Sequence, residues 1–216
     1  MKALISPKAV VFDMDGVLIN SEGIWEDIET AYLMEIAPGY SKANQPDIIG
    51  KRLKDLHQFL MDEFDTTVSF EDFDRHFRKM GEDIYRHRTE LIPGVRQTLQ
   101  GIQDRDIAIG LASSSPMVWI NMTLQRFEIE SFFATVVSGE QVAHGKPAPD
   151  IYRTAVENLG QNPQESWAVG DAAVGMQSAK SAGLTVIGFR NGHNDAQSFD
   201  DADHVISRLN LLLELI

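Results

Sequence analysis

Residues 10–18 read Val10-Val11-Phe12-Asp13-Met14-Asp15-Gly16-Val17-Leu18. The apolar run that begins at Ala9 ends in a pair of aspartates separated by one residue, and a glycine follows before the chain turns apolar again. A short, continuously apolar run bounded by a turn residue suits a strand buried on both faces. Carboxylates beside such a strand are expensive to desolvate, so a pair of them at its end needs a purpose. If the backbone stays extended through Asp15, both side chains leave on the same side, with Cα atoms about 6.6 Å apart. Gly16 permits the turn that must follow.

Beyond Pro93-Gly94 the same kind of strand recurs in alternation with helices. The pattern predicts strands at 107–112, 135–138, 167–170, 185–189 and 204–206, and helices at 95–101, 117–127, 150–159 and 175–182. Gly160 and Gly183 fit the C-terminal caps of the last two helices. Such alternation implies an α/β fold, a doubly wound parallel sheet with helices on both faces, to which the strand at 9–13 belongs.

The stretch between about residues 20 and 90 is helical instead. Ile24, Ile28, Tyr32 and Ile36 recur every four residues behind a possible cap at Asn20 or Ser21, and Pro38-Gly39 ends that helix. Leu53, Leu56, Leu60 and Phe64 repeat the pattern. Phe70, Phe73, Phe77, Met80 and Ile84 do so again, behind Ser69 with Asp72 three residues later. These stripes read as the core of a small bundle. The charges between them, and the basic cluster Arg86-His87-Arg88, read as its solvated face. The expected division is a core domain of residues 1–19 and 92–216, with an inserted helical cap of residues 20–91. The crossings near Ile19 and Pro93 are its hinge candidates.

Composition narrows the partners. The 216 residues, 43% hydrophobic and 24% charged, are enough for one core and a smaller second domain. A net charge of −13 disfavours nucleic acid and anionic membrane. No apolar stretch approaches the ~18 residues of a membrane span, and no signal peptide is visible. Cysteine is absent, which excludes disulfides and thiolate metal sites and suits a reducing, cytoplasmic setting. A monomer and a weak dimer both remain open.

In a parallel α/β sheet, ligands bind at the C-terminal ends of the strands, where the strand order reverses. Polar residues fall at such ends four times: Asp13 with Asp15, then Ser113, Lys146 and Asp171. Each alone is ordinary, since serine favours turns, lysine is usually solvated, and aspartate caps helices. Their recurrence at successive strand ends is not. Asp13, Asp15 and Asp171 together make a hard, oxygen-rich site suited to Mg²⁺. An EF-hand loop does not fit, because the glycine comes at the fourth position and a strand precedes it. A nucleotide P-loop does not fit Gly139 to Lys146 either, since five residues separate the glycines and Pro147 replaces the required Ser or Thr.

Taken in order, Asp13-Met14-Asp15-Gly16-Val17, Leu111-Ala112-Ser113, Gly145-Lys146-Pro147-Ala148-Pro149-Asp150 and Gly170-Asp171 resemble the four motifs of the haloacid dehalogenase superfamily of phosphohydrolases. The resemblance covers nearly the whole chain. It implies a Rossmann-like core with a helical cap, and a Mg²⁺-dependent phosphatase acting on a small phosphorylated metabolite through an aspartyl-phosphate. Asp13 is then the nucleophile and Asp15 the general acid and base. Asp13, Asp171 and the Asp15 carbonyl are the metal ligands. Lys146 and Ser113 contact the phosphoryl group, with backbone N–H groups of Met14 and Ser114 completing the cradle. Within the superfamily the chain looks closest to the sugar-phosphate branch. Trp25 stands where β-phosphoglucomutases carry a histidine, which favours hydrolysis over a mutase. A catalytically silent binding or regulatory protein is the further alternative. Arg52 matches a cap-loop arginine that touches substrate in relatives, and Trp25 divides evenly between substrate contact and cap core. Replacing Asp13 by Asn is expected to change stability little or raise it, by relieving carboxylate crowding.

Overall fold

The computed structural model describes residues 5–216. In chain order the elements are β1 (Ala9–Phe12), α1 (Glu22–Ile36), α2 (Gln45–Ile48), α3 (Leu53–Phe64), α4 (Phe70–Asp83), α5 (Val95–Gln103), β2 (Ala108–Ser113) and α6 (Met117–Arg126). There follow β3 (Thr135–Ser138), α7 (Asp150–Asn158), β4 (Ser166–Gly170), α8 (Ala173–Ala182), β5 (Thr185–Phe189), β6 (His204–Ile206) and α9 (Leu212–Leu215). A π-helical turn, Ile84–Arg88, prolongs α4.

The strands form one parallel six-stranded sheet in the order β3-β2-β1-β4-β5-β6. Strands β2 and β3 build outward on one side of β1, and β4, β5 and β6 on the other. The order therefore reverses beside β1, so the ends of β1 and β4 form the crevice where such sheets bind ligands. Alternation along the strands supplies both faces. Val10, Phe12, Ile109, Leu111, Trp167 and Val169 join one apolar core, while Val11, Ala112, Ala168 and Val186 join a second on the opposite face. Helices α5, α6 and α9 lie over the first face, and α7 and α8 over the second.

The helices from Glu22 to Arg88 enter and leave through two adjacent segments. Ile19 bridges antiparallel to Leu91, the Ile92 N–H donates to the Leu18 carbonyl at 2.9 Å, and the Asn20 N–H to the Glu90 carbonyl at 3.1 Å. The two chain passages are thus held side by side by backbone pairing. Ser69 caps α4, accepting from the Asp72 N–H.

The first cap helix differs from its apolar pattern. The buried residues of α1 are Glu29 and Leu33, whereas Ile24, Ile28, Tyr32 and Ile36 are only partly so. Glu22, Trp25 and Glu29 of this helix instead line a cavity shared with Asp15, so polar residues interrupt the apolar stripe on that side. Phe70, at the first position of α4, is 42% exposed. Arg86 and Arg88 do lie on a solvated face, paired with Glu82 and Asp83. No helix among the described residues is long and apolar enough to cross a membrane.

Candidate active site

Asp13 is the first residue past β1, and its N–H continues the ladder by donating to the Val169 carbonyl at 3.0 Å. Its carboxylate is nearly buried, with Oδ2 2.5 Å from Lys146 Nζ and Oδ1 accepting from the Met14 N–H at 2.9 Å. Lys146 Nζ also donates to the Ala112 carbonyl at 3.2 Å. Burial alone would push the lysine ammonium down. The Asp13 carboxylate, Tyr152 and Asp171 together outweigh it and hold Lys146 above the ordinary lysine range.

Asp171 is the first residue past β4 and is 2% exposed. A Cβ on Gly16 would fall 2.0 Å from its Oδ2, and Gly16 has φ +70°, so close approach and backbone conformation both require glycine there. Asn191 Nδ2 bridges the Gly16 carbonyl and Asp171 Oδ2 at 2.9 and 3.0 Å, and Asn194 Nδ2 donates to the Asp171 carbonyl at 2.8 Å. Burial first, then the Asp13 charge, push the Asp171 carboxyl well above the usual range, against the pull of Lys146. Glu22, at the start of α1, is pushed up in the same way by burial and by the charges of Asp171 and Asp15. One buried ammonium therefore faces several carboxylates.

Asp15 occupies a different environment. Its Oδ1 accepts from Ser21 Oγ at 2.6 Å and the Tyr85 hydroxyl at 2.8 Å, and its Oδ2 from Ser115 Oγ at 2.8 Å and Ser113 Oγ at 3.4 Å. Burial raises its pKa, and the Ser21, Ser115 and Tyr85 hydroxyls partly offset that. Ser113 Oγ also accepts from the Ser115 N–H at 3.1 Å, which orders the turn after β2.

The structure thus brings Asp13, Met14, Asp15, Ser113, Lys146 and Asp171 to one crevice. Ser114 donates to the Gly50 carbonyl at 2.7 Å, tying that turn to the cap. Beside Asp15 lies a cavity of about 100 Å³ lined by Trp25, Phe77, Tyr85 and Trp119, with Ser114 and Ser115 from the core. Trp25 is both wall and packing: it stacks on Phe77 at 5.8 Å between ring centroids, and its Nε1 donates to the Tyr85 hydroxyl at 3.1 Å.

Arg52 is not brought to this cavity. Its guanidinium forks onto Asp55 at 2.6 and 2.8 Å and donates to the Gly139 and Val142 carbonyls at 3.2 and 2.9 Å. It clasps cap to core, and the Arg78–Glu140 pair at 2.8 Å adds a second contact between them. Pattern reading missed Ser21, Glu22, Tyr85, Ser115 and Asn191. Only Ser115 carried a signal, the serine run 113–115 at a strand end. Ser21 read as a helix cap, but its hydroxyl makes no cap bond and turns to Asp15.

The family model for haloacid dehalogenase-like hydrolases matches residues 10–189. A phosphorylated carbohydrates phosphatase of Thermotoga maritima is 30% identical over 219 residues, covering 97% of this chain and 100% of that protein. Hexitol phosphatase B of Escherichia coli is 28% identical over 183 residues, covering 83% and 82%. Among solved structures, a putative beta-phosphoglucomutase from Thermotoga maritima superposes with a TM-score of 0.71 at 28% identity, covering 96% of this chain and 99% of that one. Matched over residues 10–189 and carrying the parallel sheet described above, the chain belongs to the haloacid dehalogenase-like hydrolase family.

Proposed function

We propose that the protein is a Mg²⁺-dependent phosphatase of a small phosphorylated metabolite, a sugar phosphate, working through an aspartyl-phosphate at Asp13. The carrying observation is the contrast between two neighbouring carboxylates. Asp13 is ion-paired with Lys146, whereas Asp15 is surrounded by four hydroxyls and raised in pKa. Paired carboxyls in environments this different divide into nucleophile and acid–base partner. The names of the sugar-phosphate relatives support the substrate class.

Asp13 attacks phosphorus while Asp15 protonates the departing oxygen. Asp15 then takes a proton from the water that hydrolyses the acyl phosphate. Each unit-charge pair between a carboxylate and a phosphate at 4 Å costs about 4 kcal/mol at an effective dielectric of 20. Lys146 offsets part of this, and the Ser113 hydroxyl with the Met14 and Ser114 N–H groups would hold the phosphoryl oxygens.

The surplus of buried carboxylate over ammonium fits a divalent cation. Among the described residues no group of three His, Cys, Asp or Glu side chains could hold one. Asp13 and Asp171 would therefore serve with the Asp15 backbone carbonyl, because the Asp15 side chain is engaged by hydroxyls. Bound there, Mg²⁺ would polarise the phosphoryl group and screen its charge.

The likeness to a putative beta-phosphoglucomutase favours a mutase as the second reading. Phosphate release from a panel of sugar phosphates with Mg²⁺ separates the two. Interconversion of glucose 1- and 6-phosphates without net release would overturn the phosphatase. A protein silent toward every phosphate ester, with its site intact, would instead be a binding or regulatory member of the family.

A further inference from the structure

The cap carries one buried carboxyl that the proposed reaction does not use. Glu29, one turn beyond Trp25 on α1, is 8% exposed. Its Oε1 accepts from Gln45 Nε2 at 2.6 Å, and Gln45 Oε1 accepts from the Tyr40 hydroxyl at 3.1 Å. Glu29 Oε2 takes no partner among the described residues. Within those residues, only Thr98 Oγ1 and the Tyr152 hydroxyl are sealed polar side-chain atoms without a bond. Glu29 Oε2 is therefore open, and Glu29 and Gln45 both line the cavity beside Asp15.

That cavity is where a leaving group must sit, because Asp15 protonates the departing oxygen. Its volume of about 100 Å³ would hold several waters at the ~10–15 Å³ each requires, which suits a compact organic group. Trp25, Trp119 and Phe77 offer apolar faces for C–H bonds. The cation among the lining residues is Lys51, whose Nζ lies over the Phe59 ring, 5.3 Å from its centroid. Arg52 is held elsewhere by Asp55 and the carbonyls. A carboxylate or second phosphate on the leaving group would meet two carboxyls, Glu22 and Glu29, with Lys51 the lone cation of the lining to offset them.

We propose that Glu29 and Gln45 form a hydroxyl-recognition subsite, which makes the enzyme select an uncharged, polyhydroxylated leaving group over an anionic one. The proposal rests on the phosphatase reading. Burial pushes the Glu29 carboxyl up to about 7, so near neutrality it can accept from one hydroxyl or donate to another. A site built to bond hydroxyls rejects analogues that lack them, because its own polar groups are left unpaired.

The test compares kcat/KM for glucitol 6-phosphate, phosphoglycolate and p-nitrophenyl phosphate in the wild type, Glu29→Ala and the near-isosteric Glu29→Gln. The wild type should prefer glucitol 6-phosphate to phosphoglycolate by at least about tenfold. The ratio of glucitol 6-phosphate to aryl phosphate kcat/KM should fall about tenfold or more in Glu29→Ala and about threefold or more in Glu29→Gln, chiefly through KM. An unchanged ratio in variants that melt as cooperatively as the wild type overturns the subsite, as does a wild-type preference for phosphoglycolate. In those outcomes aryl phosphate turnover still supports the phosphatase. A wild type that hydrolyses none of the three with Mg²⁺ present overturns that reading, and the subsite with it.

Discussion

The Tyr85 hydroxyl, carried by the cap, donates to Oδ1 of Asp15, carried by the core, at 2.8 Å. The cap thus reaches the proposed acid–base group directly, and Tyr85 positions it while Trp25 donates to the same hydroxyl. A hydrogen bond to a charged group contributes about 1.5–3 kcal/mol. Tyr85→Phe should lower kcat about tenfold or more, with a smaller change in KM, because the misplaced carboxyl matters most in the transition state. Steady-state kinetics measure this, and an unaltered kcat would show that the contact does not position Asp15.

Lys146 and Asp13 form a pair whose side chains are 2% and 11% exposed. The expectation that Asp13→Asn would be neutral or stabilising considered only crowding among carboxylates. The ion pair adds an attraction that the substitution removes, so a modest loss is expected, limited because asparagine keeps an acceptor for the ammonium. Lys146→Met should cost more, about 3–5 kcal/mol, because it leaves Asp13 unpaired beside Asp171. Urea unfolding measures both. Mg²⁺ should recover part of the Lys146→Met loss, since a ligand bound only by the folded state stabilises it.

Arg52 fastens the cap through a planar fork that a lysine ammonium cannot reproduce. Arg52→Lys should destabilise the protein by about 1–3 kcal/mol. Amide exchange should quicken in the turn at 139–143 and in the two crossings at 18–21 and 91–94. Exchange confined to the Arg52 loop would mean that the clasp does not hold the cap closed.

Burial raises Glu29 from 4.5 to about 7. Between those values the folded state binds more protons than the unfolded one, so this group lowers stability as pH rises through that window. Its full effect above the window is about 3 kcal/mol of destabilisation, at 1.36 kcal/mol per pH unit of difference. Glu29→Gln should therefore raise the melting midpoint at pH 8 relative to wild type and leave it nearly unchanged at pH 4. An equal shift at both pH values would assign the effect to packing.

The sheet was legible because each strand is a short apolar run closed by a turn residue. The strands at 135–138, 185–189 and 204–206 coincide with their sequence-based bounds. Asp13, Ser113 and Asp171 were legible because a parallel sheet gathers its strand ends at one edge. Lys146 is not at a strand end but in the loop between β3 and α7, and its long side chain reaches back to Asp13. The hydroxyls around Asp15 were not. Tyr85 reaches it from 70 positions away through the π-helical turn after α4, whose geometry no apolar period encodes. Glu29 was hidden for a related reason, since a charged residue on an amphipathic helix reads as solvated until the tertiary fold closes over it. Arg52 matched by position alone, and only the folded cap reveals that Asp55 and backbone carbonyls hold it.

In the proposed reaction phosphorus is attacked twice, first by Asp13 and then by water. Each in-line displacement inverts the configuration at phosphorus, so two give net retention and one gives inversion. The direct measurement hydrolyses a thiophosphoryl substrate, made chiral with oxygen isotopes, in isotopically labelled water with Mg²⁺, and determines the configuration of the released thiophosphate. Retention is the expected result, and inversion would contradict nucleophilic attack by Asp13.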